Sequence, residues 1–230
     1  LAGNGVLLST TVTYSASDYT ADSPATGPLV ANGSAVTYFV DFSNSNGSDD
    51  PVSSFTLTTT NHSSWTGTAT CSYIASFSGQ DHSTLDFDTN GTSCSFDGSY
   101  NITGSGFPTT LAVAQTIYLR ITGLSVGNSS IGFTTRANGE FSNGDVFTNE
   151  RNAAYVRVGD HIITGRIFND ANMDAILSPA ESGLAGVNVR LIQEAAGNNT
   201  DPIINSTEIS DENGYYAFDE ADYPAFSLFS

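Results

Sequence analysis

Val36-Thr-Tyr38-Phe-Val40-Asp-Phe42 decides the fold. It alternates a Val/Tyr/Val face with a Thr/Phe/Asp face. Successive side chains of a strand point to opposite sides of a sheet, so this period of two predicts a strand with one buried face. Phe55-Thr-Leu57-Thr repeats the pattern, as do Ile117-Tyr-Leu119-Arg-Ile121-Thr and Ala153-Ala-Tyr155-Val-Arg157-Val. Turn clusters separate them: Asn44 to Pro51, Asn90-Gly91, Asp97-Gly98, Asn138-Gly139 and Asn143-Gly144. Short strands rich in Thr, Val and Tyr between Gly/Asn turns predict an all-β protein built as sandwiches. No stretch has convincing helical spacing; one short turn is expected over Pro179 to Ala185.

Composition narrows the function classes. The 230 residues carry 24 Asp plus Glu against six arginines and no lysine, a net charge of −18. Nucleic acid is excluded as a partner, because phosphate contacts need Lys and Arg to displace counterions. No apolar run reaches the ~18 residues of a membrane span. No basic-then-apolar start is present, so any signal peptide is expected to have been removed. With 39% hydrophobic residues, 14 Phe and 10 Tyr, the chain can bury real cores. Ser and Thr make up roughly a quarter of it, well above ordinary usage. Charge also divides the chain. The last 70 residues hold eleven acids and two arginines, while the first 160 hold thirteen acids and four arginines, so each part carries −9. The expected units are an N-terminal strand and linker over 1–28, a sandwich over 29–160 and a second over 161–230. So small a final unit is expected to lean on a metal or a neighbour.

Val6-Leu-Leu8-Ser-Thr10-Thr-Val12-Thr-Tyr14 is a strong strand, set off by the Ser/Pro/Gly-rich stretch from Ala16 to Pro28. It is either the first strand of its own sandwich or a strand that completes a neighbour's sheet. In the second case Val6, Leu8, Val12 and Tyr14 are the inserted side chains at a subunit interface.

Two resemblances follow from longer motifs. Val36 to Asn44, Ser48 to Val52, Phe55 to Leu57, Leu111 to Thr122 and Asn149 to Val158 resemble a conserved repeat domain of bacterial and archaeal surface proteins. That resemblance implies an immunoglobulin-like sandwich, from which the Cys71-to-Cys94 insert departs. Gly165-Arg-Ile-Phe168-Asn-Asp170-Ala-Asn172-Met-Asp174, Glu181 to Leu191, Asp211 to Phe218 and Pro224 to Leu228 resemble the SdrD B-like, or Cna B-type, domain. That family implies a prealbumin-like sandwich used as a spacer in surface adhesins and pili. Some of its members carry a Lys–Asn isopeptide bond, which a chain without lysine cannot form.

Asp170, Asn172, Asp174 and Glu181 fall at positions 1, 3, 5 and 12 of an oxygen-ligand loop, with Ile176 at the backbone-carbonyl position and Ser178 at the water-bridged one. Calcium takes six to eight hard oxygens in flexible geometry, so calcium is the expected cofactor. SdrD B-like domains bind it through this region, which the resemblance carries over. The departure is Ala175, where the helical version of the loop needs Gly; strand-like flanks are expected to lift that demand.

Cys71 and Cys94 are the only cysteines and are expected to pair, which places the chain in an oxidising, extracellular compartment. Asn-X-Ser/Thr acceptors occur at Asn32, Asn46, Asn61, Asn90, Asn101, Asn128, Asn198 and Asn205. Eight is a moderate excess over the roughly five expected by chance, and most lie in turns, so N-linked glycans are expected. Catalysis finds no support. His62, His82 and His161 are isolated along the sequence, no nucleophile elbow or phosphate loop is present, and Asp86 and Asp88 read as solvated strand acids. Trp65 reads as core or, alternatively, as a sugar-binding platform. The sequence therefore points first to a structural subunit of a glycosylated extracellular filament, a helical homopolymer grown by strand donation. An adhesin stalk and a carbohydrate-binding module are the alternatives.

Overall fold

The computed structural model describes residues 3–45, 47–60, 65–77, 79–127, 130–159, 162–178, 181–194 and 202–219. It is all-β in tandem units, as the alternation predicts. The larger unit runs β1 (Val6–Tyr14), β2 (Ser17–Tyr19), β3 (Ala35–Asn44), β4 (Val52–Thr59), β5 (Trp65–Phe77), β6 (Thr92–Phe96), β7 (Ile102–Thr103), β8 (Gln115–Val126), β9 (Ile131–Phe141) and β10 (Val146–Val156). One sheet has the order β2-β1-β3-β8-β5-β6-β7 and the facing one β10-β9-β4. The C-terminal unit has two antiparallel pairs, β11 (Ile162–Arg166) with β14 (Tyr215–Asp219), and β12 (Asn188–Glu194) with β13 (Pro202–Ile209).

The deciding stretch behaves as read. Val36, Tyr38, Val40 and Phe42 of β3 are buried. Tyr38 stacks on Phe133 at 4.3 Å between ring centroids, and Trp65 meets both rings edge-on. Trp65 is 5% exposed, so it is core, and the sugar-platform reading falls. Burial pushes the Tyr38 phenol well above its ordinary range, so it stays neutral. The disulfide forms between Cys71 and Cys94, directly opposite each other on β5 and β6. Closing a 23-residue separation stabilises by about 3 kcal/mol in the chain-entropy model.

Three expectations need correction. First, Ala16 to Pro28 is not a free linker. Ala21 and Pro24 are buried, and the stretch runs along β10 through Tyr155 N–H to Ala21 O (2.8 Å) and Arg157 N–H to Pro28 O (2.9 Å). The spare hydrogen-bonding edge of β10 needs a partner, and this segment supplies it. Second, Asp86 and Asp88 are not on a strand. Asp86 caps the one-turn helix α1 (Phe87–Asn90) by accepting from Thr89 N–H, and Asp88 pairs with Arg120 at 2.6 Å. Third, the short turn expected over 179–185 does not run through the described residues: Glu181 N–H closes a turn onto the Ser178 carbonyl (3.1 Å) and Ala185 enters the next turn, but between them Gly183 bridges Phe168, and a Cβ there would overlap the Asn213 carbonyl.

The two units meet through a polar joint. The turn Asp211-Glu212-Asn213-Gly214 reaches onto β9 and β10. Tyr155 donates to Asp211 (2.6 Å), Asn213 Nδ2 donates to Thr134 (2.9 Å), and Arg136 pairs with Glu212 (2.6 Å). Arg151 adds a bond to the Glu212 carbonyl. Burial and then the Asp211 charge hold the Tyr155 phenol far above its ordinary range, so it remains a donor.

Candidate metal centre and N-terminal strand

Residues 170–178 fold as a nest of side chain-to-backbone bonds. Asp170 accepts from Asp174 N–H (3.1 Å) and Ala175 N–H (2.9 Å), and Asp174 accepts from Ile176 N–H (2.7 Å). Asn172 accepts from Asp174 N–H (3.2 Å) and donates to the Asp174 carboxylate (3.0 Å). Glu181, buried at 7% exposure, closes the loop: its two oxygens accept from Ala171 N–H (3.2 Å) and Ser178 N–H (2.9 Å). Carboxylate oxygens of Asp170, Asp174 and Glu181 come within 4.8 Å of one another. No arginine forms an ion pair with them among the described residues. Three close, uncompensated carboxylates, one out of water, fit a hard cation.

The alanine departure has a structural answer. Ala175 has φ 58° and Met173 φ 60°. The loop does demand the left-handed conformation at its sixth position, strand flanks notwithstanding, and an alanine meets it. Left-handed backbone costs an L-residue about 1 kcal/mol or more. Ala175→Gly is therefore expected to stabilise the C-terminal unit by about 1 kcal/mol, read as a shifted denaturant midpoint.

β1 pairs with β3 of its own chain from Val6↔Asn44 to Thr13↔Thr37. Val12 is fully buried, and Val6, Leu8 and Tyr14 pack against the same core. Within one chain, then, β1 is the first strand of its own sandwich. Its far edge carries little strand pairing: β2 covers only Val12 to Tyr14, and beyond it Asn152 of β10 accepts from Thr10 N–H (2.8 Å) and, through its carbonyl, from the Thr10 hydroxyl (3.4 Å). The β1–β2 turn is two residues, Ser15 and Ala16, at φ 51° and 61°. Such hairpin turns favour Asn and Gly, and neither is present.

Three glycosylation acceptors have described side chains. Asn32 and Asn90 are exposed. Asn101 is half-buried, with its carboxamide accepting from Thr58 and donating to Asp97, and is the least available. Asn46, Asn61, Asn128 and Asn198 lie outside the described residues, and Asn205 is described only as backbone in β13. His82, isolated in the sequence, is flanked in space by Asp41 and Asp18. No local signal announces this, since Asp41 is 41 residues away.

No family profile matches the chain. No curated protein matches it. Among solved structures it is similar to the major pilin subunit of Bacillus cereus, at 13% identity over 93% of this chain and 55% of that one, with a TM-score of 0.40. It is also similar to two domains of the major pilin SpaD from Corynebacterium diphtheriae (11%, 93% and 73%, 0.36) and to the Actinomyces fimbrial adhesin FimA (14%, 91% and 76%, 0.32). The chain thus spans about half the length of the Bacillus subunit. No helix among the described residues is long and apolar enough to cross a membrane.

Proposed function

We propose that this chain is a non-catalytic structural subunit of a secreted, N-glycosylated, pilus-like filament, in which β1 of each copy inserts beside β3 of the next. The observation that carries this reading is the turn at Ser15 and Ala16. It holds two non-glycine residues in the left-handed region, each at about 1 kcal/mol. Opening the turn and pairing β1 with another copy's β3 keeps every strand contact and releases that strain, and short strained hinges favour such exchange. A head-to-tail contact of this kind leaves an open end at every step, so it grows a helix rather than a ring. Calcium on Asp170, Asn172, Asp174, the Ile176 carbonyl, Glu181 and a Ser178-bound water would brace a unit that has no lysine crosslink. Sugars on the exposed acceptors would add to the solubility that the net negative charge already provides.

A second reading keeps β1 at home and makes the chain a spacer in the stalk of a surface adhesin. The in-chain β1–β3 pairing and the polar joint favour it. Negative-stain microscopy with light scattering separates the two. The filament reading expects fibres from purified chain; monodisperse monomers under all assembly conditions select the spacer.

A further inference from the structure

The excursion between β5 and β6 lies over the outer face of the larger sheet. There His82 stacks on Phe39 of β3, 4.6 Å between centroids with the rings 14° apart. Its Nδ1 is 3.3 Å from Asp41 of β3, and its Nε2 is 3.8 Å from Asp18 of β2. β1 runs between those two strands. The imidazole therefore spans the strand proposed to leave. Nε2 is buried and makes no hydrogen bond at that separation, and the ring as a whole is 13% exposed.

We propose that His82 is a proton-operated latch that straps β2 to β3 across β1 and holds the N-terminal hairpin on its own subunit. As a cation it attracts both carboxylates; as a neutral ring it keeps at most the bond to Asp41. Among the described residues β2 has no strand partner except β1, so once the turn opens and β1 leaves, no strand holds Asp18 against His82, while Asp41 stays in place on β3. The difference between closed and open states is thus the His82–Asp18 attraction. Its consequence for assembly rests on the strand-donation reading; the latch itself does not.

The charges around the ring agree in sign. Asp41 faces it from β3, Asp18 from β2 and Asp81 from its own turn. β1 offers only the neutral Ser9, Thr11 and Thr13 at the adjoining register positions. On β8, Arg120 lies opposite Phe39, but it is committed to Asp88 and to the face of the Phe87 ring. The Asp41 hydrogen bond raises the imidazole above its ordinary value, against the partial burial that lowers it, with the Asp41, Asp18 and Asp81 charges adding. A raised folded value means the strap is fully present below the ordinary histidine value, about 6.5, and is lost as pH rises through the raised one.

Hydrogen exchange of the full chain at pH 5.5 and pH 8, normalised for intrinsic rates, tests this. Protection of Thr11 to Thr13 in β1 is expected to fall about two- to fivefold at the higher pH, the order of one part-exposed ion pair. Asp18→Asn keeps an acceptor for Thr13 but removes the charge, and His82→Gln removes the proton. Both are expected to show the lower protection at both pH values. A wild-type ratio that does not change with pH, or a change that survives in Asp18→Asn, overturns the latch. Uptake of a labelled peptide of residues 1–16 reads the other idea separately. Protection that switches without uptake at pH 8 upholds the latch and sinks donation; uptake at one rate across pH upholds donation and sinks the latch.

Discussion

A chain lacking residues 1–16 is expected not to fold by itself and to recover its fold when a peptide of those residues is added. β1 brings a fully buried Val12, the packed side chains of Val6, Leu8 and Tyr14, and the strand partner of β3. Each fully buried aliphatic side chain is worth about 1.5–3 kcal/mol, and a domain has only about 5–15 kcal/mol in all. Removing the strand therefore consumes most of the larger unit's stability and leaves the β3 edge open. A peptide that pairs as β1 does restores both. Circular dichroism melting with and without peptide is the measurement. A truncated chain that melts like the whole one contradicts the strand's importance; one that no peptide rescues contradicts its ability to act in trans.

Calcium is expected to be the second large effect. A ligand that binds only the folded unit stabilises it by about 2.7 kcal/mol at a hundred times its dissociation constant. The gain should appear as a raised melting temperature of the C-terminal unit that a chelator reverses. Glu181→Ala should abolish it, because Glu181 supplies the buried carboxylate and ties Ala171 to Ser178. That substitution also lowers stability without metal, since each bond to a charged acceptor is worth about 1.5–3 kcal/mol. A melting temperature indifferent to calcium and chelator alike removes the metal from the account.

What could be read from the sequence was what local chemistry determines. The alternation in Val36 to Phe42 named its own buried face, and the same logic found β1, β8 and β10. The oxygen spacing from Asp170 to Glu181 marked residues that the fold does bring together. The rest depends on contacts far apart in the chain. Asp86 and Asp88 looked like strand acids because α1 is a single turn, held by a cap and by Phe87 buried against Phe39 and Arg120. Ala16 to Pro28 looked like a linker because its composition is that of a loop, while its role is set by the β10 edge it covers. Asp211 to Gly214 stood out in the sequence only as part of a family motif; its arrival at Thr134 and Tyr155 makes it the joint. Ala175 shows the converse. The sequence named the position that wants glycine, and the backbone there is left-handed despite the residue.

The central claim is that β1 of one copy pairs with β3 of another. Leu7 and Ser43 face each other across that pair, and Leu7 is 66% exposed. Opposed strand residues suit disulfide geometry, as Cys71 and Cys94 show on β5 and β6. A chain carrying Leu7→Cys is mixed with one carrying Ser43→Cys, allowed to assemble and oxidised. Donation predicts covalent dimers, and longer ladders when a single chain carries both changes. Crosslinking that occurs only within the doubly substituted chain, with no dimer from the mixture, contradicts it.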